Sequence, residues 1–97
     1  MKVRITSAAW RDLETISDWI ASHDHQAATK LSDELLDKAE ALGASPFRFP
    51  VVAEVQARSV RKRSHRKHVI LYRVGDEVEV LRIVDARRDY LSLLQDL

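Results

Sequence analysis

The spacing of apolar residues changes once along this chain of 97 residues, and that change limits the folds open to it. In the first half, apolar residues recur every three or four positions, which is the period of a helix with one buried face. In the second half they form short runs rich in valine, isoleucine, leucine and tyrosine, which is typical of strands. Helices early and strands late indicate an α+β domain, in which a mainly antiparallel sheet is covered by helices on one face.

A strand is predicted at Lys2–Thr6, where Val3 and Ile5 alternate with polar residues. Thr6 or Ser7 is then placed to cap a first helix, because a hydroxyl accepts from the free backbone donors of the first turn. The apolar stripe of this helix consists of Ala9, Leu13, Ile16 and Ile20. The first helix is therefore predicted to be amphipathic.

A second helix is predicted after Ser22, with Asp24 as its N-terminal cap. Gly43 is placed to end it in a left-handed conformation, and Pro46 is a further stop signal. The apolar stripe consists of Ala28, Leu31, Leu35, Ala39 and Leu42, widened by Leu36. The two helices form a predicted helical hairpin whose stripes need a sheet to cover them.

Three later strands are predicted at Val55–Lys62, His68–Val74 and Glu77–Val84. Gly75 and Asp76 suit a two-residue turn between the last two strands. The segment Ala44–Glu54 contains both prolines and both phenylalanines, which predicts a loop fixed to the core by its aromatic side chains. A short helix is predicted at Arg87–Leu97, so the meander of three strands is followed by one C-terminal helix.

Composition narrows the class of function. With 45% hydrophobic residues and only two glycines and two prolines, the chain is expected to form a single domain, residues 1–97, with little room for a deep pocket. Cysteine is absent, so no disulfide, thiolate nucleophile or cysteine-ligated zinc is available. No apolar run approaches the roughly 18 residues of a membrane span. We expect a cytoplasmic protein that acts through its surface and uses neither a metal nor another cofactor.

Charge is distributed unevenly along the chain. Residues 1–57 carry a net charge of −3 and residues 58–97 a net charge of +4. Most of the excess lies in a basic run that begins at Arg58 and ends at His68, beside the strand-like segments. Such a run can be a solvated edge strand that resists aggregation, or a face that binds nucleic acid or an acidic protein. The arginines that would form this face are Arg58, Arg61, Arg63, Arg66 and Arg73.

Histidine and tryptophan supply further candidates. A metal site is not expected at His65 and His68, because the surrounding cations would repel a divalent ion, but either ring could act as a general base. Trp10 and Trp19 lie nine residues apart on the first helix and so face different directions. One is predicted to border the core, and the other to be exposed at a protein interface.

The order of these motifs resembles the ParE branch of the RelE/ParE toxin superfamily. The resemblance covers nearly the whole chain and is carried by Ile5-Thr6-Ser7-Ala8-Ala9, Asp12-Leu13-Glu14-Thr15-Ile16, Val69-Ile70-Leu71-Tyr72-Arg73-Val74, Val78-Glu79-Val80-Leu81-Arg82-Ile83 and Arg87-Arg88-Asp89. It implies the toxin of a type II toxin-antitoxin module, with a helical hairpin packed on an antiparallel sheet. It also implies a cognate antitoxin as partner in a hetero-oligomer.

Within this superfamily the resemblance is compatible with three alternative functions. ParE-like members poison DNA gyrase by binding, and the residues expected to contact the target here are Arg61, Arg63, Arg66, Arg73, Arg87 and Arg88. RelE-like members cleave ribosome-bound mRNA, and the corresponding candidates are Lys62, His68, Arg88 and Tyr90. An inactive relative would only bind its antitoxin and act as a corepressor. In each case the antitoxin is expected to contact Trp10, Trp19, Arg61 and Arg63.

Two departures bear on the choice between gyrase and mRNA. Val69 stands where RelE-like nucleases carry a catalytic arginine, so the nuclease set is incomplete. Asp85 stands where many ParE-like chains carry a histidine. Gyrase inhibition by binding is the leading expectation, and an mRNA interferase is the alternative.

Overall fold

The computed structural model describes residues 1–95, without the side chains of residues 56–58. Its helices and strands are β1 (Val3–Ile5), α1 (Ser7–Ala21), α2 (His25–Glu40), β2 (Val60–His65), β3 (His68–Val74), β4 (Val78–Asp85) and α3 (Leu91–Leu94). This order confirms the predicted α+β arrangement of a strand, a helical hairpin, a three-strand meander and a short C-terminal helix. The side chain of Arg58 and the last two residues of the predicted C-terminal helix lie outside the described part. None of the helices described is long and apolar enough to cross a membrane.

The two long helices begin at the predicted caps. The Thr6 side chain accepts a hydrogen bond from the Ala9 amide at 3.2 Å, and Asp24 accepts one from the Ala27 amide at 3.1 Å. Each bond satisfies one of the backbone donors that a helix start leaves free. Both capping predictions are confirmed, and they fix where the helical hairpin starts and turns.

Gly43 ends the second helix for a different reason than predicted. After α2 the chain makes a 3₁₀ turn at Ala41–Gly43, and no glycine has a positive φ. Instead, a Cβ at this position would lie 2.3 Å from the Met1 carbonyl oxygen. The N-terminal ammonium group also donates to the Gly43 carbonyl at 2.9 Å. The left-handed cap was therefore wrong, and glycine is needed because the N-terminus passes so close.

The four strands form one mixed sheet in the order β1-β4-β3-β2. β1 is parallel to β4, whereas β2, β3 and β4 form the predicted antiparallel meander. The turn between β3 and β4 has three residues, because Val74 pairs with Val78, so the predicted two-residue turn was wrong. β2 begins five residues later than its predicted start, because Ala53–Arg58 forms 3₁₀ turns with a kink at Val55.

Each face of the sheet has its own apolar core. The inner face, which meets α1 and α2, buries side chains such as Leu35, Ile70 and Tyr72. The outer face, which meets α3, buries Leu71 and Leu94 among others. Burial on both faces explains why buried apolar residues stand at consecutive positions in β3 and β4, whereas β2 is mainly basic.

Candidate functional site

A groove lies between the helical hairpin and the sheet, and we call it the helix–sheet groove. It has a volume of about 600 Å³ and runs along α1, the start of α2 and the far end of β4. It exists because β1 pairs with β4 only from Val78 to Val80, while β4 continues to Asp85. The rest of that strand edge is therefore open on the side of the helices.

The first part of the open edge is closed by side chains. The Thr6 hydroxyl donates to the Leu81 carbonyl at 3.1 Å, and the Ile83 amide donates to the Asp12 carboxylate at 2.9 Å. Arg82 donates to both oxygens of the same carboxylate, at 2.7 and 2.9 Å, and this contact raises the pKa of Arg82. Asp12 thus fixes α1 to β4 at the boundary of the groove.

The lining of the groove on the helix side is mainly apolar. The helices contribute Ile16, Trp19, Ile20 and Leu31, and β4 adds Ile83 and Val84. Trp19 is 62% exposed, whereas Trp10 is 46% exposed and lies outside the groove. The prediction that one tryptophan borders the core is wrong, because both are exposed. Trp19 is therefore the tryptophan placed to contact a partner in this groove.

The other end of the groove is cationic. Four cations line it: Arg66 and Lys67 from the β2–β3 turn, and Arg87 and Arg88 from the turn after β4. A hydrogen bond of 2.8 Å from the Ala86 amide to the Lys67 carbonyl joins the two turns. We call these four residues the cationic end of the sheet. The fold has brought together charges that lie about twenty residues apart in sequence.

Two titratable groups beside the cationic end have shifted pKa values. Burial lowers the pKa of His68, although Asp85 opposes that shift. The His68 Nδ1 atom is buried and has no hydrogen-bond partner among the described residues. Hydrogen bonds from the Arg87 side chain and amide hold the pKa of Asp85 well below its usual range. At neutral pH, His68 therefore adds no positive charge here, while Asp85 is ionised.

Arg61 and Arg63, predicted to contact the target, make contacts within the chain. Arg61 donates to the Phe49 carbonyl at 2.7 Å, and its guanidinium lies 5.2 Å from the ring centre of Phe47. Arg63 donates to the Lys38 carbonyl at 3.0 Å and lies 4.6 Å from the ring centre of Phe49, and burial lowers its pKa. Both arginines fix the loop before β2 to the sheet, which leaves less of each guanidinium for a partner.

Two further side chains at the end of β2, His65 and Arg66, contact Glu34 of α2. Glu34 accepts hydrogen bonds from Arg66 at 3.1 and 3.3 Å and lies 3.2 Å from the His65 ring nitrogen. These contacts lower the pKa of Glu34, with His65 the larger cause and Arg66 the next. The β2–β3 turn is therefore attached to the helical hairpin, and the charge of Arg66 is partly neutralised by its ion pair with Glu34.

The residues proposed for a nuclease lie in different places. Lys62 donates to the Tyr90 hydroxyl at 3.4 Å on the outer face, where Lys62 pairs with Leu71. His68 and Arg88 line the helix–sheet groove instead. The structure therefore brings Lys62 and Tyr90 together, and the Tyr90 amide donates to the Arg88 carbonyl at 2.8 Å, whereas His68 lines the groove beside the helices.

Arg73, the remaining candidate for target binding, lies in a row of charges across three strands. It pairs with Glu79 at 2.8 Å, and Arg4 of β1 pairs with Glu79 from the other side. Arg4 also contacts Glu77 at 2.9 Å. This end of the sheet is near electrical balance, in contrast to the cationic end.

Sequence reasoning missed Asp12, Arg82 and Lys67. No pattern in the sequence marks Asp12, and only the packing of α1 against the open edge of β4 shows its role. Lys67 was part of the basic run, but its position in the turn depends on the register of the β2–β3 hairpin. Within the described part of the chain, no three histidine, cysteine, aspartate or glutamate side chains are grouped to hold a metal ion. The groove offers binding contacts of two kinds, apolar and cationic.

Comparisons with known proteins agree with this architecture. The family model described as "ParE toxin of type II toxin-antitoxin system, parDE" matches residues 3–90. The chain is similar to a chain of the chromosomal ParDE system of Pseudomonas aeruginosa, with 23% identity and a TM-score of 0.76 over 88% of this chain and 95% of that one. It is also similar to a chain of the RelBE2 toxin-antitoxin complex of Mycobacterium tuberculosis, with 20% identity and a TM-score of 0.67 over 90% of this chain and 92% of that one. No curated protein matches the chain.

The two structural likenesses establish the fold, and the family match covers most of the sequence. Helical hairpin, mixed sheet and C-terminal turn all fall within the matched residues. The chain belongs to the family of ParE toxins of type II toxin-antitoxin systems.

Proposed function

We propose that this ParE-family toxin inhibits DNA gyrase by binding, and that a segment of its cognate antitoxin occupies the helix–sheet groove and holds it inactive. The observation that carries the proposal is the composition of the groove, where an apolar lining meets four cations. Such a surface fits a segment with apolar anchors and acidic side chains. The partner in this proposal is a protein chain, and no covalent step is required.

The separation of the nuclease candidates favours binding over cleavage. Cleavage of an RNA backbone needs an acid, a base and a charge-stabilising group within hydrogen-bond reach of one phosphate. Lys62 and Tyr90 lie on the outer face, whereas His68, the candidate general base, lines the groove beside the helices. The Lys62–Tyr90 contact is the one observation in favour of an mRNA interferase, which is the second candidate function.

A supercoiling assay tests the gyrase proposal. Purified gyrase acts on relaxed plasmid, and we expect supercoiling to fall as the toxin is added and to recover when the antitoxin is mixed in first. The double variant Arg87→Gln, Arg88→Gln should inhibit less than the wild type. Lys2→Gln, Arg11→Gln is the matched control, since both residues are exposed, lie outside the groove and give the same change of charge. Full supercoiling at molar excess of folded toxin would contradict the proposal.

The interferase alternative has its own measurement. Cut sites would be mapped on messages translated in the presence of the toxin, with Lys62→Ala as the variant. Cleavage that depends on translation and disappears in this variant would favour the alternative. Intact messages during growth arrest would support action on gyrase. Absence of both growth arrest and cleavage would instead indicate an inactive corepressor.

The two exposed tryptophans allow a sharp test of the antitoxin proposal. Trp19 lines the groove and Trp10 does not, although both project from α1. A buried tryptophan anchor at an interface contributes on the order of 2 kcal/mol or more, which corresponds to about a 30-fold change in affinity. Trp19→Ala should therefore weaken antitoxin binding at least tenfold, and Trp10→Ala should change it less than threefold.

Calorimetric titration with the antitoxin, taken as the product of a small reading frame beside this one, measures both variants. Equal losses for the two tryptophans would place the antitoxin elsewhere on α1. Unchanged affinity for Trp19→Ala would remove the groove from the interface.

A further inference from the structure

We propose that the cationic end of the sheet binds the phosphate backbone of duplex DNA, so that the toxin contacts DNA as well as gyrase in the inhibited complex. The biological setting of this inference rests on the proposed function. The binding itself is a property of the toxin alone and can be measured without gyrase. The ligand class is a phosphodiester backbone, read without regard to base sequence.

The cations belong to two neighbouring turns at one end of the sheet. Arg66 and Lys67 form the turn between β2 and β3, where His65 pairs with His68. The turn after β4 is joined to it by the 2.8 Å bond from the Ala86 amide to the Lys67 carbonyl. Because each turn is fixed to the sheet, the charges form a defined array.

Two of the four cations have no carboxylate partner among the described residues. Arg66 is paired with Glu34, and Arg87 is paired with Asp85 although its side chain is 82% exposed. Lys67 and Arg88 are both exposed and in no described ion pair. These two side chains can contact phosphates without first breaking an ion pair. Asp89 follows Arg88 in sequence but does not line the groove.

The backbone at Arg66 sets the geometry of the turn between β2 and β3. Its φ is +55°, in the left-handed region that glycine and asparagine adopt more readily. A two-residue hairpin turn requires a positive φ at its first central position, so the turn itself accounts for this conformation. Here the pairing with Glu34 holds Arg66 and presents Lys67 at the tip of the hairpin.

Charge and exposure favour a phosphate backbone over an acidic protein as the ligand of this end. Contacts to phosphates need exposed cations on a rigid support and no complementary apolar surface. An acidic protein segment would also use the apolar lining around Trp19, which DNA does not need. DNA and antitoxin therefore share Lys67 and Arg88, but Trp19 serves the antitoxin alone. DNA and antitoxin should compete for the toxin.

Fluorescence anisotropy with a labelled 20-base-pair duplex of arbitrary sequence, titrated with toxin at several salt concentrations, tests the inference. Each phosphate contact contributes about −0.9 to the slope of log affinity against log salt. The double variant Lys67→Gln, Arg88→Gln should make the slope less negative by roughly 1.8 and lower affinity about 60-fold at 0.1 M salt. Lys2→Gln, Arg11→Gln is the matched control, with the same charge change at the start of β1 and on α1. Its slope should equal that of the wild type.

A fluorescent polyglutamate peptide serves as the second probe. Equal slopes for both double variants, or tighter binding of polyglutamate than of DNA, would overturn the inference. Trp19→Ala should leave DNA affinity within twofold, and a larger loss would also count against a phosphate site. DNA binding that persists while supercoiling is unaffected would support this site and refute only the proposed target. Thermal melting of each variant confirms that it is folded.

Discussion

The carboxylate of Asp12 accepts three hydrogen bonds from the open edge of β4, one from the Ile83 amide and two from Arg82. Replacing Asp12 by alanine removes all three. The bond from the Ile83 amide to a charged acceptor contributes about 1.5 kcal/mol. The side chains of Arg82 and Asp12 are only 22% and 13% exposed, so their paired bonds contribute about 1–2 kcal/mol rather than the smaller value of a surface pair. The expected loss is about 3 kcal/mol.

In a domain of this size, a loss of that magnitude lowers the melting temperature by about 12–24 °C. Urea denaturation followed by circular dichroism measures the free energy of unfolding directly. Asp12→Asn should lose roughly half as much, because the amide oxygen can still accept from Ile83 but cannot hold both donors of Arg82. Glu77→Ala, which breaks the exposed pair with Arg4, is the control and should cost about 0.5 kcal/mol. A loss below about 1 kcal/mol for Asp12→Ala would refute the view that Asp12 closes the strand edge.

Three further substitutions test other parts of the fold by urea denaturation. Gly43→Ala should cost about 2 kcal/mol, because its Cβ would lie 2.3 Å from the Met1 carbonyl oxygen; wild-type stability would refute that close approach. Burial lowers the pKa of His68, so the unfolded chain binds the proton more readily, and the free energy of unfolding should fall as the pH drops below 6.5. His68→Phe should flatten this dependence. Equal slopes of stability against pH for the variant and the wild type would exclude His68 as its source. Tyr72→Phe should cost about 1–2 kcal/mol, because it leaves the Pro46 carbonyl, 2.9 Å from the hydroxyl, without its donor, and an unchanged midpoint would contradict this.

The elements of the fold could be predicted because local signals agree with the tertiary structure. Thr6 and Asp24 cap the helices as their side chains and positions indicate, and the apolar stripes meet the sheet. The turn after Val74 was harder, because the pairing of Val74 with Val78 sets its length. A glycine at position 43 fits either a left-handed helix cap or a close approach of another backbone segment, and only the path of the N-terminus distinguishes the two.

The candidate site was harder to predict than the fold, because a basic strand divides its charges between two faces. Arg61 and Arg63 face the helices and the preceding loop, while Lys62 faces outward to Tyr90. Alternation along a strand was foreseeable from the sequence. The presence of carbonyls and aromatic rings opposite the arginines was not, since it depends on how the loop at residues 46–50 folds back. The number of cations in the basic run is therefore larger than the number that a partner can contact.

The length of the first strand determines whether the fold has a groove at all. β1 ends at Ile5, and the chain turns into α1 after Thr6, so β4 has no strand neighbour on that side beyond Val80. Thr6 and Asp12 satisfy the first edge groups with side chains instead of another strand. The space that a longer strand would fill forms the helix–sheet groove, next to the cations of the two turns. A partner that binds there must bring apolar groups for the helix side and anions for the turns, while a ligand with phosphates alone needs only the turns. This difference is why Trp19 and Lys67 should separate antitoxin binding from DNA binding.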